Sequence, residues 1–102
     1  MEEIRDLLLK TAKILKENNE IEWDSILTAL HVDSHFCQSQ FVLTKIMELY
    51  GGIGYLNDIV LKRDGKSLVE ENAEFYKLRH ALYKKCIETG IVDPNFAVIE
   101  LS

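Results

Sequence analysis

The run EEIRDLLLKTAKILKE, residues 2–17, sets Ile4, Leu7, Leu8, Thr11, Ile14 and Leu15 at the three-and-four spacing of a single helix face. Glu2, Glu3 and Asp6 suit the positive end of that helix, and Lys13 and Lys16 suit the other. One strongly amphipathic helix at the start of a short chain calls for other helices to cover it. The rest of the sequence supplies three.

Asn18-Asn19 interrupts the first pattern, and Asn19 reads as the cap of a second helix with Glu22 completing a capping-box pair. Trp23, Ile26, Leu27 and Leu30 form its expected buried stripe, with Trp23 as a core anchor or, in a second reading, an interface anchor. Asp33 or Ser34 then reads as the cap of a third helix continuing to Tyr50. Phe36, Gln40, Leu43, Met47 and Tyr50 lie along one face of it, widened by Phe41, Val42, Ile46 and Leu49. Gly51 ends this helix as a left-handed glycine would. Ser67 and Glu70 form an S-x-x-E box for the last helix, which Gly90 and Pro94 close. Its two adjoining stripes, Phe75-Leu78-Leu82-Cys86 and Tyr76-Tyr83-Ile87, predict contact with two neighbours. The expected fold is an all-α bundle of four principal helices in a single domain over residues 1–102, with a tail from about residue 91. The closing FAVIEL fits either an extended segment docked on the bundle or a short strand.

Length and composition agree with one modest core: 102 residues, 47% apolar and 28% charged, with five glycines and one proline. No apolar run approaches the ~20 residues that span a bilayer, so no membrane association is expected. The charged start MEEIRDLLLK does not read as a signal peptide, and two cysteines without CxxC spacing fit a reducing cytoplasm. Cys37 and Cys86 fall on the apolar stripes and are expected to be buried free thiols.

Charge is distributed unevenly. Between Glu17 and Thr44 stand Glu17, Glu20, Glu22, Asp24 and Asp33 and no lysine or arginine. The net charge is −5 and the remainder of the chain carries twelve of each sign, so this segment holds the whole imbalance. Such a field repels nucleic acid and attracts a cationic protein. Its plainer reading is a solvated helix face.

Catalytic patterns are weak. His31 and His35 are four apart, but the break expected at Asp33-Ser34 puts them on different faces, and no glutamate completes H-E-x-x-H; no metal or cofactor is expected. Asp33-Ser34-His35 are sequence neighbours rather than a convergent triad, and His80 reads as a partly exposed polar residue. Gly52-x-Gly54 lacks the third glycine, the preceding strand and the lysine of a phosphate loop. The segment Gly51 to Asp58 instead reads as a tight corner. In it Asn57 and Asp58 cap a short turn to Leu61, and Leu56, Ile59 and Val60 plug the core. Asp64-Gly65 marks a further turn. A hairpin pairing residues 59–61 with 67–69 competes there with the capping box for Ser67.

The stretch LYGGIGYLNDIVL, Leu49 to Leu61, resembles the signature GG-M-G-S-L-N-D-L-V-L of a family of small, uncharacterised bacterial helical proteins. Gly51, Gly52, Gly54, Leu56, Asn57, Asp58, Val60 and Leu61 match it; Ile53 replaces Met and Tyr55 replaces a small serine. The resemblance extends over residues 1–90 and gives the motif no catalytic role. It implies an immunity protein of a polymorphic toxin or contact-dependent inhibition system, with a basic toxin domain, a nuclease, as partner. On this expectation Glu17, Glu20, Glu22, Asp24 and Asp33 form the docking face. A self-associating adaptor using Tyr76 and Tyr83 is the alternative. An enzyme built on Asn57, Asp58 and a histidine lacks an evident nucleophile, metal or cofactor.

Overall fold

Unbroken periodicity over residues 2–17 produces helix α1 (Glu2–Glu17), with Ile4, Leu8, Thr11, Ala12 and Leu15 buried. The computed structural model describes residues 1–51 and 55–89, except the side chain of Asn57. Within them α1 is followed by α2 (Ile21–Phe36), α3 (Ser39–Met47), a 3₁₀ turn (Leu56–Asp58), β1 (Lys62–Arg63), β2 (Lys66–Ser67) and α4 (Val69–Thr89). The fold is all-α with four helices, as the sequence predicts, and one very small hairpin. Gly52, Gly54, the Asn57 side chain, Gly90, Pro94 and the tail lie outside the described residues.

The α1–α2 turn differs from expectation in an instructive way. Asn19 does not cap α2; it takes a left-handed φ of 65° after the end of α1. The Glu20 N–H donates to the Leu15 carbonyl at 2.8 Å and the Asn19 N–H to the Lys16 carbonyl at 3.2 Å. This is a Schellman closure with asparagine in the place usually held by glycine. Asn18 adds a side-chain bond to the Ile14 carbonyl at 2.8 Å.

Helix α2 runs straight through Asp33 and Ser34 to Phe36, so the expected break is displaced to Cys37-Gln38. Ser34 is buried, and its hydroxyl donates to the His31 carbonyl at 2.5 Å. Arg5 of α1 meets it from outside, donating to the Ser34 hydroxyl at 3.1 Å and to its carbonyl at 2.8 Å. A guanidinium at the C-terminal turn also suits the negative end of α2. Because the helix continues, His31 and His35 do share it, with ring centroids 5.0 Å apart in edge-to-face contact.

The third helix is consequently short. Val42, Leu43, Ile46 and Met47 are buried, but Phe36, Cys37, Gln40 and Phe41 are exposed, contrary to the stripe expected for them. Lys45 covers the Phe41 ring at 5.6 Å. Gly51 does not adopt a left-handed φ; a Cβ there would meet the Tyr55 ring at 3.0 Å. The glycine lets the Tyr55 ring approach closely; a side chain there would make the ring shift by a few tenths of an ångström.

Past the corner, Leu56 and Leu61 are fully buried and Ile59 partly so, while Val60 is half exposed instead of plugging the core. The 3₁₀ turn occupies Leu56–Asp58 rather than starting at Asp58. A hairpin forms, but its strands are Lys62–Arg63 and Lys66–Ser67 rather than residues 59–61 and 67–69, paired as Lys62 with Ser67 and Arg63 with Lys66. Positive φ at both Asp64 and Gly65 makes the two-residue turn that suits the twist of paired strands. Ser67 therefore sits in β2 and the capping box is not made. Asn72 does the anchoring: it accepts from the Leu61 N–H at 2.7 Å and donates to the Leu61 and Leu68 carbonyls at 2.9 and 2.8 Å. On α4, Phe75, Leu82 and Cys86 are buried, Leu78, Tyr83 and Ile87 are partly buried, and Tyr76 is exposed.

Candidate partner-binding surface

Two contacts set the helix directions. Arg5, near the start of α1, touches Ser34, near the end of α2. Lys85, near the end of α4, reaches Glu3 at 2.7 Å. Helix α1 is therefore antiparallel to both. The end of α1 and the beginnings of α2 and α4 gather at one end of the bundle.

This arrangement divides the five carboxylates singled out from sequence. Glu17, Glu20, Glu22 and Asp24 sit at the gathered end, Glu17 and Glu22 exposed and Glu20 and Asp24 partly buried. Asp33 stands nine residues beyond Asp24, about 13.5 Å along the axis and half a turn around it. It shares a line on α2 with Glu22 instead, eleven residues away and displaced by roughly 20°. Among the described residues none of the five makes an ion pair, and only Asp24 has a side-chain partner, accepting from the Thr28 hydroxyl at 3.2 Å.

The fold adds acids that a linear reading placed elsewhere. Glu70, Glu71 and Glu74 of α4 line one groove of about 340 Å³ with Glu17, Ile14, Asn18 and the single cation Arg63. Seven carboxylates thus lie towards one end of the bundle, while Lys10 and Lys13 share an adjoining groove with Glu17 and Glu74. Four of them, Glu22, Asp24, Glu70 and Glu71, lie in the first turns of α2 and α4, where the helix dipoles favour negative charge. Local stabilisation accounts for their placement on the helices. It does not neutralise the field they present to an approaching molecule.

The glycine corner forms a separate surface. Arg79 of α4 donates to the Leu56 and Ile59 carbonyls at 3.3 and 3.2 Å and lies over the Phe75 ring at 4.9 Å. Buried Tyr50 donates to the Arg79 carbonyl at 2.6 Å, and its burial raises the phenol far above its usual range. Gly51, Leu56 and Asp58 thus belong to a buttressed corner. Beside it Ile59, Val60, Val69, Phe75, Tyr76 and Arg79 border a groove of about 390 Å³. Tyr76 stacks on His80 and Tyr83 packs edge-on against Tyr50.

Among the described residues, the groups that sequence offered for chemistry, the His31–His35 pair excepted, lie apart from one another. Asp58 is exposed, and the nearest histidine on α4, His80, lines the neighbouring Tyr50-Tyr76-Tyr83 pocket. His31 and His35 supply two imidazoles on one helix, and among the described residues no third His, Cys, Asp or Glu joins them in a metal-holding group. The thiols differ sharply. Cys37 is exposed, against expectation, whereas burial pushes the Cys86 thiol up to about 12. A thiol reagent should modify Cys37 in the native protein and reach Cys86 at least about a thousandfold more slowly, on opening of the fold. Cys37→Ser should abolish the fast phase. Since Cys86 ionises more readily unfolded, near pH 8.5, its contribution to stability is complete below that pH. It is lost as pH rises towards 12.

Comparison with protein-family models, curated proteins and solved structures finds no match to this chain. Among the described residues no helix is long and apolar enough to cross a membrane.

Proposed function

We propose that the protein binds and neutralises a cationic bacterial toxin domain, a nuclease, acting in the cytoplasm as its immunity protein. The observation that carries this reading is the acidic α1–α2 end of the bundle, where no lysine or arginine occurs from residue 17 to residue 44. There Glu17, Glu20, Glu22 and Asp24 face solvent without ion-pair partners among the described residues. A nuclease concentrates lysine and arginine where it grips phosphates. A rigid acidic surface is steered towards that patch, and once seated it occludes the substrate path. The likeness of residues 49–61 to the helical-family signature supports the same assignment. Co-expression with the product of the neighbouring upstream gene, expected to be a growth-arresting toxin, tests the proposal. Growth should be restored and a one-to-one complex recovered; continued killing with both proteins soluble would overturn it.

A second reading, a self-associating adaptor, draws on the exposed Tyr76, Val60 and Val69 around the corner groove. It requires a salt-insensitive homodimer by light scattering that Tyr76→Ser dissociates.

A further inference from the structure

Helix α2 is apolar on two opposite sides. Trp23, Leu27, Leu30 and Ser34 face the core, with Leu27, Leu30 and Ser34 buried. Ile21, Ser25, Ala29, Val32 and Phe36, spaced three to four residues apart, form a stripe on the solvent side. Ile21 is 54% exposed, Val32 48% and Phe36 84%, and no charged residue interrupts the stripe. The acids of α2 itself border it: Glu22 and Asp33 along one edge, Asp24 near the other, with Arg5 of α1 reaching α2 at Ser34. No lysine or arginine occurs from residue 17 to residue 44.

We infer that this outward face of α2 is the apolar centre of a protein-docking surface, selective for a partner whose own apolar side chains are bordered by lysine and arginine. The stripe supplies desolvation and the flanking carboxylates choose the partner's charge. A second copy of this chain fits poorly. Two α2 faces laid together would oppose acids with acids. A cationic partner gains further area by extending over the carboxylates at both edges. The inference rests on the proposed function only for the sign of the partner's charge.

The probe is a fluorescent 18-residue helical peptide with leucine on one face and lysine on the other, titrated into the full chain and followed by anisotropy. Binding should weaken at least tenfold for a peptide of the same composition in scrambled order. Val32→Ser with Phe36→Ser should lower affinity at least tenfold with an unchanged melting temperature, both side chains being exposed. Val60→Ser with Val69→Ser, at the corner groove, should have no effect.

Absence of binding by the native chain would overturn the inference. So would loss through the Val60/Val69 pair, or a homodimer that Val32→Ser with Phe36→Ser dissociates. If Glu22→Gln, Asp24→Asn and Asp33→Asn abolish binding while the serine pair does not, the stripe is refuted and the acidic docking face stands. Peptide bound at the stripe by a chain that fails to protect against the toxin would refute immunity and leave the stripe intact.

Discussion

Asn72→Ala should destabilise the fold by about 3 kcal/mol and lower its melting temperature by roughly 10–20 °C, the largest effect expected of any polar side chain here. Its amide closes three bonds at once. It accepts from the Leu61 N–H and donates to the carbonyls of Leu61 and Leu68, while Leu68 N–H itself donates to Leu61 at 3.0 Å. Leu61 is fully buried, so truncation strands a backbone donor with no replacement and weakens the junction of hairpin and α4. Asn72→Asp separates the parts. It keeps an acceptor for Leu61, loses both donors and sets a carboxylate against two carbonyls, so it should be at least as damaging. Thermal melts of both variants check this; a fall below about 3 °C for Asn72→Ala would show that the clamp is dispensable.

Replacing Glu17, Glu20, Glu22, Asp24 and Asp33 together by their amides should slow association with the proposed toxin partner by about 10- to 100-fold at low salt. The dissociation rate should change less. The gap should close as ionic strength rises and screening shortens from about 10 Å at 0.1 M to about 3 Å at 1 M. Among the described residues none of these groups has an ion-pair partner to lose, so stability should stay within about half a kcal/mol per site. Restoring Asp33 alone should recover least of the rate, because it stands apart from the other four. Stopped-flow measurements across salt concentrations decide it; equal rates for native and neutralised chains would remove electrostatic steering.

What could be read from the chain was what local periodicity specifies. Helix α1 came out with its bounds intact because its apolar positions are regular and its charges agree with its dipole. The body of the last helix, though not its start, and the turn at Asp64-Gly65 were also legible from local pattern. The failures share a non-local cause. Asp33-Ser34 carries a credible cap signal, but Arg5, 29 residues away, binds Ser34 and the helix runs on. Ser67 and Glu70 carry another, yet Asn72 holds the preceding backbone in a hairpin. Periodicity also assigned Ile26 and Phe36 to the core, since apolar spacing alone does not distinguish an inner face from an outer one. The acidic segment was visible as composition. Its junction with Glu70, Glu71 and Glu74, and the separation of Asp33, depend on the antiparallel packing of α1 with α2 and α4.

The central claim is that α2 and the acidic end of the bundle form the docking surface. Cross-saturation NMR from an unlabelled toxin domain into the deuterated, 15N-labelled chain tests it directly. Signal loss should centre on the amides of Glu17 to Asp24 and on Ser25, Ala29, Val32 and Phe36. Loss confined to the corner groove around Val60, Val69 and Tyr76, with α2 untouched, would contradict it.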